Sequence, residues 1–467
     1  MIKPNGTDAT CTRRTFLKTA VCATAGSAWA FYAGPSVLGE VAPVILGDLG
    51  KAKPRPDLVD TDSPTGLEVI QLTTESDVPA SHLYMEAQIF TMDSKRFVLH
   101  RSATAHGSKR GDPKHQFLVC DIDDGCSLRP LTDELNVKAG SVSPNGKHFY
   151  YFVDETQIGG GRLTLKRVEL DGSDRQTILV IDRPLPGTKS PPSRIYPLST
   201  ISSDGRRLAL SAFLGDGTTE NARFGLMVFD LLKAKVHLVI QGPTWCNMHP
   251  QFCRSTDPDA SHDILIQENH GNVCDAQGSV TVLVSGDGAD IHLIRDDGTN
   301  FRNMPWGRDG DEFCQGHQCW RGRSTWAITS TLRPQFHPYT EAQLVEGRAA
   351  SFTGHVGIKT PGGIRNDLSR SFPRPNFYHF ATDAAGKRLI SDAGPQEKGG
   401  GIYLVDLDEP GKGPAKKFTY LLNPRSSWKK GAHIHPFLSP DGTMGFFNSD
   451  ESGSLQAYML RGLPAQV

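Results

Sequence analysis

The stretch HPFLSPDGTMGFFNSD, from His435 to Asp450, followed by LQAYML from Leu455, decides the fold. An apolar strand runs into Ser-Pro-Asp-Gly, and a second apolar strand leaves it. Pro presets φ in such a turn and Gly accepts the left-handed conformation, so the pair marks a tight hairpin. A third strand and a charged turn follow. The same order recurs up the chain, with turns opening near Met92 (MDSKRFVLHR), Ser143 (SPNGKHFYYF), Ser202 (SSDGRRLALS), Cys253 (with ILIQ after it), Arg321 (RGRSTWAITS) and Asp383 (DAAGKRLISD). These copies are spaced roughly 50 to 70 residues apart, the range of repeat architectures.

Partner strands recur after most copies: FLVCDID (117–123), LKRVELDGS (165–173), LMVFDLL (226–232), IHLIRDDGTN (291–300) and IYLVDLD (402–408). Each ends in a charged or Gly-containing turn, as a hairpin edge should. No long helical period appears, and Gly 48 with Pro 31 fits a turn-rich all-β chain. Seven four-stranded units closing radially make a seven-bladed β-propeller, over 56–467. LEVIQLT (67–73) is expected to supply the missing outer strand of the last blade and close the ring. Two stacked β-sandwiches are the rival, disfavoured because the turn signals keep one phase throughout.

The chain has 467 residues and a formal net charge of -1, with both signs interleaved. Nothing in that balance suggests nucleic-acid binding or a membrane-surface stripe. Thr12-Arg13-Arg14-Thr15-Phe16-Leu17-Lys18 matches a twin-arginine export signal. The Ala-rich apolar stretch after it ends in Ala28-Trp29-Ala30, a small-x-small cleavage pattern, so 1–30 is read as signal peptide and 31–55 as linker. A periplasmic or secreted protein is expected, with no membrane span once the signal is removed. Of nine cysteines, two leave with the signal. Cys120/Cys126, Cys246/Cys253 and Cys314/Cys319 have spacings open to disulfides in an oxidising compartment, leaving Cys274 over.

Four histidines keep phase with the repeat. His249, His317, His379 and His435 each lie four residues before a turn, and His433 lies two before His435. The equivalent positions in the first three copies are Gln88, Ala139 and Leu198. A propeller's first strands line its central channel, so a phased set converges on one wall of that channel. Gathered imidazoles serve metal binding, proton transfer, or both. On a strand, residues i and i+2 share a face, so His433 and His435 can reach one ion, with His379 of the adjacent blade as third ligand. Neutral imidazole suits a borderline divalent ion such as Mn, Ni, Fe or Zn. His317, one blade further round, is placed to act as general base on a substrate held by that ion. His249 is placed to bind substrate or to support His317; packing beside Pro250 is the plain alternative. His270 reads as a loop residue. Arg194, Arg295 and Lys430, near strand or loop ends, are candidate cations for a substrate carboxylate.

The half of the chain from about Thr244 onward resembles the oligogalacturonate lyases, seven-bladed propellers that cleave pectin fragments. HPQFC (249–253), DGTN (297–300), GHQCW (316–320), NFYHFATDAAG (376–386) and AHIHPFLSPDG (432–442) carry the resemblance. It implies that His317, in H-x-x-W, is the base, that His379, His433 and His435 bind metal, usually manganese, and that the substrate is an acidic oligosaccharide. Two positions depart from the pattern. Lys430 stands where the family has a Gln ligand, and Asp290 where it has an essential Arg. A carboxylate cannot replace a cation that grips a carboxylate, so Arg295, Lys430 or Arg194 would have to take over. The expected function is a uronate lyase working by metal-assisted β-elimination. The alternatives are a non-catalytic sugar- or partner-binding propeller and another metal-dependent uronate enzyme.

Overall fold

The computed structural model describes residues 49–109, 111–269, 272–282, 288–306, 312–332, 342–349, 364–369, 377–394 and 400–467. The expected export signal, residues 31–48 and His270 lie outside the described residues. Among those described, the helical pieces are single turns, Pro56–Leu58 and Ala260–His262. No described helix is long and apolar enough to cross a membrane.

Seven antiparallel sheets form a seven-bladed β-propeller, six of four strands and one of five, with two small two-stranded hairpins besides. The innermost strands are Ala80–His82, Val137–Val142, Ser199–Ile201, Gln251–Phe252, Phe313–Trp320, Phe377–Thr382 and Phe437–Leu438. They define blades one to seven in chain order. The seventh blade joins the two ends of the domain. Glu68–Gln71 pairs with Gln456–Arg461, register Glu68 to Arg461 and Gln71 to Tyr458. Lys53–Pro54, within the stretch read as linker, adds a fifth strand. Arg55 clamps this closure by donating from Nη2 to Glu451 Oε2 at 2.8 Å, while Tyr458 Oη donates to Glu451 Oε1 at 2.5 Å.

One turn chemistry explains the common phase. In Ser-Pro-Asp-Gly, Ser439 Oγ donates to Asp441 Oδ1 at 2.6 Å and accepts the Met444 N–H at 3.0 Å. Ser143 and Asn145, Ser202 and Asp204, and Thr91 and Asp93 repeat the first bond at 2.7, 2.5 and 2.6 Å. Short polar side chains thus satisfy backbone donors where the chain reverses.

Links between the inner strands and turns of neighbouring blades run round the whole ring. Val142 N–H donates to Gln88 O, Ser141 Oγ to Ser199 O, Phe252 N–H to Thr200 Oγ1 and Gln251 Nε2 to Gln318 O. Gly322 N–H then donates to Thr382 Oγ1, Ala384 N–H to Pro440 O and Asp441 N–H to Ser94 Oγ. Apolar packing fills the space outside this ring. Trp320 is 1% exposed and donates Nε1–H to Gln251 O, tying blade five to blade four. Truncating such a Trp costs about 3–5 kcal/mol.

The first blade departs from the pattern. After His82 its inner segment leaves the sheet, makes a turn (Ala87 N–H to Tyr84 O, 2.8 Å) and crosses the channel. Gln88 Oε1 accepts the Ile201 N–H of blade three at 2.8 Å, and Glu86 reaches His249 of blade four. In this segment Tyr84 and Glu86 face histidines, while Met85, Ala87 and Ile89 line a cavity near the hairpin turns. The channel therefore has two chemically different ends.

All seven cysteines in the described residues are free thiols. The three candidate disulfides are not formed. Cys120 and Cys126 share a hydrogen bond, but Cys246 meets Cys274 rather than Cys253.

Candidate metal and proton-transfer site

The repeat position is where the inner strands break alternation. Pairing shifts between Cys314 and Gln318 in blade five, and between Phe377 and Phe380 in blade six. These bulges hold His317 and His379. A bulge adds a residue and re-aims its side chain. In blades four and seven the backbone does the same by entering the left-handed region, φ +47° at His249 and +46° at His435. Such a conformation is uncommon for a non-glycine residue and costs about 1–3 kcal/mol. Gly316, at φ +83°, precedes His317; a Cβ there would come within 3.0 Å of the Gln267 side chain.

The imidazoles converge. Ring centres are 4.3 Å apart for His379 and His435, 5.4 Å for His379 and His433, and 5.5 Å for His433 and His435. His317 lies 4.6 Å from His379. A further member comes from blade one. The hairpin Ala103–Thr104/Gly107–Ser108 carries His106 at its tip, 4.7 Å from His433 and 4.8 Å from His435. Ligand nitrogens of His106, His433 and His435 all lie within 4.8 Å of one another. The hairpin is held by Ala105, whose N–H donates to Gly431 O at 3.0 Å and whose carbonyl accepts from His435 Nδ1 at 3.0 Å.

Neighbours orient the rings. Asp392 accepts His379 Nδ1–H at 2.8 Å and the His379 backbone N–H at 2.9 Å. It also accepts the backbone N–H of His435. A carboxylate behind an imidazole fixes its tautomer and leaves Nε2 to face a metal. His435 Nδ1 is committed to Ala105 O, and its Nε2 is buried without a partner, as are His433 Nδ1 and His317 Nδ1. Buried nitrogens with no partner are costly unless something outside the chain satisfies them. Burial, then the other imidazoles, hold His379 and His435 well below the ordinary pKa. Burial alone lowers His433, and burial first pushes His106 down to about 4. These rings are bare at neutral pH, so a cation meets lone pairs and displaces no protons. The donor set fits a borderline divalent ion.

The opposite wall is built by Glu86 and His249. Their Oε2 and Nδ1 are 3.0 Å apart, and burial raises the Glu86 pKa. Tyr84 lies between the walls, 5.4 Å from His249 and 4.5 Å from His435. Trp428 packs nearly parallel to His379 at 6.2 Å. Burial first, then His249, His433 and His106, push His317 down to about 3.

The candidate cations divide. Lys430 stands at the cluster, its backbone hydrogen-bonded to His106. Arg194 is exposed in the connector entering blade three, at the histidine end, with no hydrogen bond or ion pair to another described side chain. Arg295 is elsewhere. It pairs with Asp259 and Asp263, and Asp263 opens the strand after the hairpin turn, so Arg295 lies at the far end of blade four. Asp290 is opposite Glu268 at the histidine end.

Five site residues escaped sequence reading: Tyr84, Glu86, His106, Asp392 and Trp428. A signal existed for two of them. Asp392 interrupts the apolar strand RLISDA, where a carboxylate needs a partner. The insertion around TAHG between the second and third strands of blade one is longer than a hairpin loop requires. Tyr84 and Glu86 had none, because the irregular course of their segment depends on contacts to three other blades.

No family model matches the chain, and no curated protein matches it. Solved structures do. An oligogalacturonate lyase in complex with manganese aligns at TM-score 0.62 and 17% identity, covering 88% of this chain and 96% of that one. The oligogalacturonate lyase of Vibrio parahaemolyticus aligns at 0.62 and 15%, covering 89% and 98%. A periplasmic gluconolactonase from Pseudomonas aeruginosa aligns at only 0.44 and 13%, covering 78% and 91%. At these identities the likeness establishes a shared seven-bladed propeller fold.

Proposed function

We propose that this protein is an exported lyase that cleaves short uronate oligosaccharides by β-elimination with the help of a divalent ion, manganese by preference. The observation that carries this reading is the convergence of bare imidazoles, His433 and His435 with His379 and His106, beside a further imidazole, His317. When bound, the ion would neutralise the C6 carboxylate of the sugar and so make the C5 proton acidic. His433 and His435 are the core ligands, and His379, braced by Asp392, and His106 compete to complete the set. His317 takes the C5 proton on an imidazole nitrogen. Its pKa is low in the channel, about 3, so at neutral pH the ring is unprotonated and free to accept a proton. The C5–H pair then forms the C4–C5 double bond as the C4–O bond breaks, and the departing oxygen takes a proton from water. Lys430, and Arg194 at the rim, meet further carboxylates, and Trp428 offers a flat face to a sugar ring. The resemblance to oligogalacturonate lyases and the manganese complex of one of them support the same chemistry.

The test is ultraviolet absorbance of the conjugated uronate product, with manganese and galacturonate oligomers. A rise that needs both metal and His317 supports elimination. Bound metal with no rise from any uronate would overturn it and favour another metal-dependent enzyme. No metal and no rise would favour a sugar- or partner-binding propeller, the reading that the change to Asp290 recommends.

A further inference from the structure

The other end of the channel holds a cavity of about 490 Å³, within the range of small-molecule sites. It is separated from the histidines by the crossing segment of blade one. Its floor is apolar, formed by Met85, Ile89, Phe90, Val142 and Phe437. Two guanidinium groups line it, from Arg254 and Arg323.

Neither forms an ion pair with a described carboxylate, although the buried Glu86 carboxylate attracts Arg254 from a distance. Arg254, at the turn of blade four, donates Nη2–H to the backbone carbonyl of Glu86 at 2.9 Å and forms no ion pair. Arg323 reaches from blade five towards blade one, where its Nη2 meets only the thioether of Met92 at 2.8 Å. The one carboxylate in the lining, Asp204, is engaged by Ser202 and by Arg207 Nη2 at 2.9 Å. The cavity thus carries two guanidinium groups with no carboxylate in contact over an apolar floor, the nearest acid to Arg254 being Glu86, whose carboxylate is engaged by His249. Elsewhere in the protein buried arginines are paired: Arg321 with Glu346 and Arg302 with Asp263. A desolvated cation is costly unless paired, so Arg254 is a site prepared for an anion from outside.

We propose that this cavity is a second ligand site, for a small organic anion with an apolar ring or chain and one carboxylate or sulfonate. The apolar part fills the floor, and the acid group bridges Arg254 and Arg323, both of which present forked donors suited to it. The site does not depend on the reading of the histidine end.

Isothermal titration with 2-naphthoate tests it, with neutral 2-naphthalenemethanol as control. Saturable binding of one naphthoate per chain is expected, at least tenfold tighter than the alcohol. Arg323→Gln, an exposed change that leaves the core intact, is expected to weaken naphthoate at least fivefold, and Arg254→Gln more. His433→Ala is expected to leave it unchanged, which places the ligand away from the histidines. Equal affinity for acid and alcohol, full affinity in Arg323→Gln, no saturable binding, or loss in His433→Ala would each overturn the proposal.

Discussion

Blade one and blade seven both bury histidines, and they use them in opposite ways. His82 of blade one is 0% exposed, wedged among Phe97, Phe437 and Phe446, with Nε2 donating to Tyr458 O at 3.0 Å. It is a core residue that closes the ring. His435 of blade seven is equally buried, and each of the two rings has one nitrogen bonded to a carbonyl and one without a partner in the chain, but a left-handed backbone turns His435 Nε2 towards the other imidazoles of the channel. Burial does not distinguish the two. Phase and backbone do: His435 stands four residues before its turn, at the position where blades four, five and six also place a histidine. Blade one reaches the site by residues out of phase, the hairpin bearing His106 and the segment bearing Tyr84 and Glu86.

The largest effect expected along this contrast is at the cluster. His433→Ala should weaken manganese binding more than 100-fold by calorimetry, at least 2.7 kcal/mol. Retained affinity would reduce the cluster to packing. Comparing His106→Ala with His379→Ala then tells which blade completes the set; the greater loss marks the third ligand. His317→Ala should next lower the rate of elimination about 10²–10⁴-fold, the usual worth of a general base, with metal affinity intact. If metal is lost too, His317 is a ligand. Asp392→Asn keeps the shape behind His379 but weakens its brace, and should cost about 10–100-fold in metal affinity.

The effect furthest from the site concerns His82, pushed down to about 3 by burial. An unfolded histidine takes a proton below about pH 6.5, and this one does not until about pH 3. Between those values the unfolded state binds more protons, so its contribution to stability is full above pH 6.5 and falls as pH drops. The slope is about 1.4 kcal/mol per pH unit. His82→Gln should therefore flatten the acid side of the denaturation curve by about one proton. An unchanged slope would mean that His82 is not the neutral core residue its surroundings indicate.

The blades were legible because four of them repeat one turn chemistry and the others keep its phase, and the closing strand was legible because the last copy lacked an outer partner. The phased histidines were legible for the same reason, since a repeat maps sequence position onto position round an axis. What the sequence hid lies where the repeat is broken. His106 comes from an inserted hairpin, and Glu86 from a segment that abandons its sheet to cross the channel. Arg295 misled because strands finish at both ends of a blade; its register with Asp263 places it far from the histidines.

The most direct measurement is pulsed electron paramagnetic resonance of manganese added to the protein at neutral pH. Modulations from several imidazole nitrogens on a single bound ion, lost in His433→Ala, are the expected result. A manganese ion with only oxygen around it, or the same spectrum in His433→Ala, would contradict the central claim that these histidines form a metal site.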